Sequence, residues 1–347
     1  MNKKSKLKVL IVGGGSIGSK EVKVLRNHPL IKVVGLVEIN KEKRESLSKY
    51  VPKTYSNLIF ALKDSNPDLV RIATPPKTHK ELALLSLNSG KDVYIEKIMT
   101  LNSDDAREIV KLAKKLKKNV YVRRNAIYSA VYHEAYGRLK EIGEIRHIHW
   151  IEPRETYSAW SQYKQKWLRK LPGRIISEHI PHALYTVRWF LGGEPEVENV
   201  VYTEKELQVF LRCGKKTAQI SYQEPSDNPM LMYIFGSKGV LEINHSSYRI
   251  FKPIGFEDSS TLEMRTLKAN IYDICGAIYN LFRLVGHFFV RELHLNEQSV
   301  YSKSDNYRQF TDIARGKVFM NFKIDGEEGL NNVILFEKIW KKVGEIK

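Results

Sequence analysis

Apolar residues fall into short, nearly unbroken runs over the first third of the chain: Leu7 to Val12, Lys32 to Val37, Leu69 to Ala73, Asp92 to Ile95 and Asn119 to Val122. Between them, apolar positions recur at helical spacing near 19–28, 41–50, 57–64, 78–89 and 103–118. Unbroken runs read as strands buried on both faces, and the alternation with helices predicts a doubly wound parallel sheet. Beyond about residue 123 the rhythm changes. A helix near 129–141 is followed by short runs at 145–152, 197–202, 207–213, 217–223, 230–235, 239–244 and 248–252, separated by turn signals. That pattern predicts a large, open, mostly antiparallel sheet. The chain therefore reads as α/β, with a first domain over residues 1–122 and a second α/β domain over 123–347.

Length agrees with two cores, since 347 residues exceed what one core usually organises. Lys and Arg outnumber Asp and Glu by 57 to 39, a net charge of +18, which admits nucleic acid, anionic membranes or anionic substrates as partners. Part of that charge has a local explanation. Ser103 to Lys118 opens with an expected N-cap serine and two acids and ends in lysines, which complements a helix dipole, and Ala106, Ile109, Val110, Ala113 and Leu116 form one apolar stripe. No zinc-finger spacing or RNA-binding signature accompanies the charge, so nucleic acid is disfavoured. With Cys213 and Cys275 the only cysteines, neither a disulfide framework nor a metal site is expected. The N-terminal apolar run breaks at Gly13 too early for a secretory signal, which predicts a soluble cytoplasmic protein.

The first strand run leads into Gly13, Gly15 and Gly18, spaced as G-x-G-x-x-G. In such a turn the first glycine makes the tight bend, the second admits a pyrophosphate, and the third lets helix and strand pack closely. Amides at Ser16 and Ile17 would face the phosphates. The second run ends in Glu38, twenty residues after Gly18, where a carboxylate can accept from an adenosine ribose. A 2′-phosphate would be repelled there, which favours NAD, while Lys41, Lys43 and Arg44 keep NADP open.

Three further segments resemble one family. Arg71 to Glu96, RIATPPKTHKELALLSLNSGKDVYIE, followed by Lys97, resembles the I-A-T-P…H…E-K-P stretch of the Gfo/Idh/MocA oxidoreductases. Gly173 to Gly192, GRIISEHIPHALYTVRWFLG, is similar to that family's glycine-triplet and histidine segment, and Phe310 to Gly316 with Glu327 to Lys338 is similar to its closing helices. The resemblance implies an N-terminal Rossmann domain and a C-terminal α/β domain whose open sheet forms a homo-oligomer interface. It also implies hydride transfer between a nicotinamide and a sugar, nucleotide sugar or cyclitol. The residues matching the family's catalytic positions are Lys97 and His182. Four positions depart from its pattern: Ile98 stands for the proline after E-K, Pro172-Gly173-Arg174 for the glycine triplet, Glu178 for an aspartate and Tyr185 for another.

The chemistry of these residues is coherent. Oxidising a secondary alcohol needs a hydride acceptor and a base for the hydroxyl proton, and a lysine and histidine converging on one oxygen suffice. Ser177 is expected to N-cap a helix with Pro181 in its first turn, where Glu178 and His182 share a face and the helix N-terminus disfavours the charged imidazole. Glu178 would orient that imidazole or bind a substrate hydroxyl, and Lys97 would occupy a partly desolvated cleft. Thr74, Pro75, His79, Glu96 and Lys97 are expected beside the cofactor, with His79 shaping the cleft. Candidate substrate contacts are Arg124, Arg154, Tyr157, Trp160, Trp167 and Arg169, several of them in the aromatic and basic stretch 154–174, which suits a phosphorylated or nucleotide-linked sugar. Residues 269–293 form a long apolar stretch interrupted by Asp273, Arg283 and His287, read as a buried helix in preference to a membrane-surface one. Two alternatives share the fold: an enzyme that recycles its NAD internally, as NAD-dependent glycosidases do, and a dinucleotide-binding sensor.

Overall fold

The computed structural model describes residues 5–153, 167–174, 176–203, 206–223, 230–244, 247–251, 305–316 and 324–346. In β1 (Leu7–Val12) the last four residues are buried, as a central strand covered on both faces requires. It pairs in parallel with β2 (Ile31–Val37) and β4 (Leu69–Ile72), and β3 (Thr54–Tyr55), β5 (Asp92–Ile95) and β6 (Val120–Val122) extend the sheet in the order β3-β2-β1-β4-β5-β6. The direction of winding reverses between β1 and β4, so the crevice beyond their carboxyl ends is where such a sheet takes a ligand. The two-residue β3 carries no readable periodicity and was not expected from the sequence.

The crossovers are α1 (Ser16–Leu25), α2 (Lys41–Leu47), α3 (Leu58–Ser65), α4 (His79–Asn88) and α5 (Ser103–Leu116). Helix α1 starts three residues earlier than its apolar spacing suggests, directly on the glycine turn. The cap of α5 is Asn102, whose side chain accepts from the Asp105 amide, and Ser103 is the first helical residue instead. Asp104 and Asp105 in the first turn and Lys114 and Lys115 in the last oppose the helix dipole as anticipated.

Contacts divide the chain into two compact units, Met1–Tyr128 with Lys164–Trp189 and Tyr301–Lys347, and Ser129–Tyr163 with Phe190–Val300. The expected boundary after residue 122 lies near the end of the first piece, but two later pieces return to the parallel-sheet unit. After α6 (Asn125–Tyr128), that unit regains α8 (Ile176–Leu191) up to Trp189, then α9 (Asp305–Arg315) and α10 (Gly326–Lys342). The reason is packing. Phe310 of α9 is fully buried edge-on against Tyr94, whose hydroxyl donates to Gln309 at 2.7 Å. The Val122 amide donates to the Ile324 carbonyl at 2.7 Å, and Gly329 of α10 lies so close to Val122 and Met99 that a Cβ would meet them at 2.6 and 2.8 Å.

The second unit holds α7 (Ala130–Gly137), β7 (Ile145–Pro153), β8 (Glu196–Tyr202), β9 (Glu206–Cys213), β10 (Lys216–Gln223), β11 (Leu231–Gly236), β12 (Val240–Asn244) and β13 (Tyr248–Phe251). Its sheet runs β13-β12-β11-β7-β10-β9-β8, antiparallel except where β7 meets β10. Ile148, Trp150, Ile220, Val209, Met232 and Ile243 are buried, while their alternates His147, His149, Gln219 and Tyr233 are half-buried on the other face. Among the described residues no helix is long and apolar enough to cross a membrane, and no group of three His, Cys, Asp or Glu is placed to hold a metal ion.

Candidate active site

The turn after β1 has the geometry its glycines suggest. Gly13 has φ of +102°, and a Cβ there would lie 2.7 Å from the Ala73 carbonyl oxygen and 2.9 Å from Thr74 Cγ2. A Cβ on Gly18 would overlap the Gly13 carbonyl, so helix and turn pack with no room between them. Gly15 faces open space and caps α1 without a side chain, and the first turn contains no acid. The amides at Ser16 and Ile17, at the open start of the helix, are thus available to an incoming anion. Glu38, buried at the end of β2, accepts from the Gly14 amide at 2.6 Å and from the Asn40 amide at 2.8 Å. Each carboxylate oxygen keeps a lone pair for a ribose hydroxyl. These residues fit a dinucleotide, and Arg44 donates to the Glu38 and Ile39 carbonyls.

At the end of β5, Glu96 does not face the crevice as a free carboxylate. Arg71, fully buried in β4, donates to Glu21 of α1 at 2.8 to 3.1 Å and also to Glu96, and Arg123 donates to Glu96 at 2.9 Å. Burial would raise the Glu96 carboxyl, but Arg123, Arg71 and Lys97 together hold it at about 2. A charged residue inside the apolar run LVRIA was the available sign of this network, because an arginine there needs a buried acid. The Lys97–Ile98 peptide is cis, and Lys97 Nζ donates to the Glu178 carbonyl at 2.5 Å and its carboxylate at 2.6 Å. Two of three ammonium protons are therefore held by Glu178. His79, the first residue of α4, is fully buried, with Nδ1 toward the Ile98 and Met99 carbonyls and Nε2 toward Thr74. It ties the Thr74–Thr78 turn to the turn after Lys97, and burial lowers its pKa.

Helix α8 differs in detail from expectation. It already includes Ile176, so Ser177 is inside the helix, donating its hydroxyl to the Pro172 carbonyl, and Pro181 lies beyond the first turn. His182 is half-buried, with Nδ1 2.9 Å from the Tyr185 hydroxyl, which also receives the Ala126 amide at 3.1 Å. Its pKa is well below the ordinary value, as the helix-dipole argument anticipated in direction, but the causes are burial first and then the charges of Lys97, His179, Arg123 and Arg124. Glu178 contacts Lys97 through its carboxylate, a partner that its spacing from His182 did not suggest.

The structure thus brings Lys97, Glu178 and His182 together and places Gly13 to Gly18, Glu38 and Thr74 along the same edge of the parallel sheet. Arg124 is elsewhere. It is 1% exposed, donating to the Glu328 carbonyl and stacked 4.8 Å from the Tyr185 ring, and so is out of a substrate's reach. Burial pushes its pKa down to about 10. Trp167 closes a hollow with Pro75, Pro76, Lys77, Lys170 and Leu171. Arg154, Tyr157, Trp160, the side chain of Arg169 and residues 269–293 lie outside the described residues. Arg71 and Glu21, both buried, and the half-buried Arg123 complete the charge network around Glu96, a role that no sequence motif assigned to them.

Residues 7–124 match the profile of the Gfo/Idh/MocA oxidoreductase family, NAD-binding Rossmann fold. The trans-1,2-dihydrobenzene-1,2-diol dehydrogenase of Xenopus tropicalis is 24% identical over 67% of this chain and 74% of its own length. The inositol 2-dehydrogenase of Salmonella typhimurium is 26% identical over 56% of this chain and 58% of its own. In fold, the WlbA dehydrogenase of Bordetella pertussis, solved with NADH and UDP-GlcNAcA, matches with a TM-score of 0.70 at 17% identity, over 99% of this chain and 97% of that one. Over residues 7–124, about a third of its length, the chain thus resembles the NAD-binding Rossmann domain of the Gfo/Idh/MocA oxidoreductases.

Proposed function

We propose that this protein transfers a hydride between NAD and a secondary alcohol or ketone of a sugar, nucleotide sugar or cyclitol. The observation that carries the reading is the meeting of Lys97, Glu178 and His182 on the sheet edge that also bears the glycine turn and Glu38. Bound NAD supplies the hydride acceptor or donor. The chain's own groups do the rest. Glu178 fixes Lys97 by two hydrogen bonds, so its third N–H is directed at a substrate oxygen. His182, neutral near pH 7, meets the same oxygen. Glu38 favours a cofactor with a free 2′-hydroxyl, since its carboxylate would repel a phosphate. The sugar-type substrate is supported by the inositol dehydrogenase among the relatives and by the UDP-GlcNAcA held by the WlbA neighbour. Lys77 and Lys170 around Trp167 suit an anionic, ring-bearing group. The same reading includes a cytoplasmic homo-oligomer formed through the half-buried face bearing His147, His149 and Tyr233, which light scattering would test.

The test is NADH absorbance with a panel of UDP-sugars, free sugars and inositols, together with NAD titration. Substrate-dependent absorbance change is expected, falling by about 10²–10⁴ in Lys97→Met and His182→Gln with NAD binding retained. Undiminished turnover in both variants would overturn the assignment of these residues. Failure to bind NAD would overturn the whole reading.

A further inference from the structure

The histidine of the site is held by a group that can donate as well as accept. Tyr185 is fully buried on α8, one turn beyond His182, and its hydroxyl meets both the Ala126 amide and His182 Nδ1. The Ala126 amide can only donate, so the phenol oxygen accepts from it and the hydroxyl proton remains available to an acceptor, for which His182 Nδ1 lies at 2.9 Å. The guanidinium of Arg124 lies over the ring face, 4.8 Å from its centre, and helps to fix the ring in place. We propose that Tyr185 is the positioning residue of His182: anchored by the Ala126 amide, its hydroxyl donates to Nδ1 and holds the neutral imidazole with its proton on Nε2.

The consequence is chemical. An acid at position 185 could only accept, which would place the proton on Nδ1 and leave Nε2 bare as a base. With tyrosine there, His182 presents an N–H, the partner a carbonyl oxygen requires, and leaves proton exchange with that oxygen to Lys97. The same N–H supports the oxygen in either direction of hydride transfer, and the proton itself moves through Lys97. Burial and the surrounding cations keep the ring singly protonated, so one proton is shared between two nitrogens and the Tyr185 bond decides its place.

The inference rests on the reading of His182 as the group that meets substrate, but its test does not. Histidine-labelled protein is observed by nitrogen NMR without substrate, and the His182 signals are identified by their loss in His182→Gln. The expected spectrum shows Nε2 protonated and Nδ1 bare. In Tyr185→Phe, loss of one neutral hydrogen bond lowers the ratio of that tautomer to the other about fivefold. A proton on Nδ1 in the wild-type protein would overturn the proposal, and so would an unchanged ratio in Tyr185→Phe. The wild-type spectrum decides alone if the variant does not fold. Failure here leaves hydride transfer standing, which NADH absorbance with the substrate panel tests separately.

Discussion

Two glycines of the first turn have opposite roles, and alanine at each separates them. Gly15 has φ of −69° and ψ of −166°, a conformation open to any residue, and nothing lies within 4 Å of the Cβ it would gain. Gly15→Ala therefore costs folding stability no more than about 1 kcal/mol, the loss of a tolerable cap. The added methyl projects into the space a pyrophosphate must enter to reach the amides of α1. Each amide bond to a charged group is worth about 1.5–3 kcal/mol, so losing even one lowers NAD affinity about tenfold or more. Gly18→Ala behaves the other way. Its Cβ would sit 3.0 Å from the Gly13 carbonyl carbon and still closer to the oxygen, atoms of backbone that cannot rotate away. Overpacking of that kind costs about 1–3 kcal/mol. Titration with NADH by fluorescence reads the affinity, and urea unfolding without cofactor reads the stability. Wild-type NADH affinity in a folded Gly15→Ala protein would refute the placement of the pyrophosphate over this turn.

Two further perturbations probe the buried charges. Arg71→Met removes the guanidinium that Glu21 and Glu96 share, leaving Arg123 on Glu96, and is expected to destabilise the protein by about 3–5 kcal/mol in urea unfolding, with part recovered by adding Glu21→Gln; an unchanged midpoint would show that the shared arginine contributes nothing to stability. His28 is fully buried, accepts the Leu30 amide on Nδ1, and stacks on Tyr307, and burial lowers its pKa to about 4. Because the folded value lies below the unfolded 6.5, its contribution is complete above pH 6.5 and is lost as pH falls toward 4, by up to about 3 kcal/mol. Comparing unfolding of wild type and His28→Gln at pH 7.5 and 4.5 isolates that loss, and a parallel decline in both proteins would exclude it.

The strands were legible because a parallel sheet buried on both faces writes unbroken apolar runs, and the second sheet was legible because one half-exposed face writes alternation. Helix α1 was misjudged at its start because Ser16 to Gly18 carry no apolar stripe, being set by the glycine turn and not by burial. The departure at Ser103 has the same source: Asn102 and Ser103 are both good caps, and only geometry chooses. In the candidate site, Lys97 and His182 stand in the segments that carry the family resemblance, whereas the Lys97 to Glu178 pairing spans 81 positions in sequence and no local pattern encodes it. Glu96 and Arg124 illustrate the limit most sharply. Each was expected to face a ligand, and each is taken instead by partners that come close only through the fold: Arg71 and Arg123 for one, Glu328 and Tyr185 for the other.

The late return of α9 and α10 to the parallel-sheet unit bears on how the protein is made. A domain confined to the start of a chain can condense while the ribosome is still translating the remainder. Here Tyr94 and Val122 must wait for Phe310, Gln309 and Ile324, so the nucleotide-binding half remains unfinished until the other half has been synthesised. A nascent chain stalled before residue 305 would expose that unfilled surface to chaperones and proteases, and quality control would read completeness of the message directly from the Rossmann core.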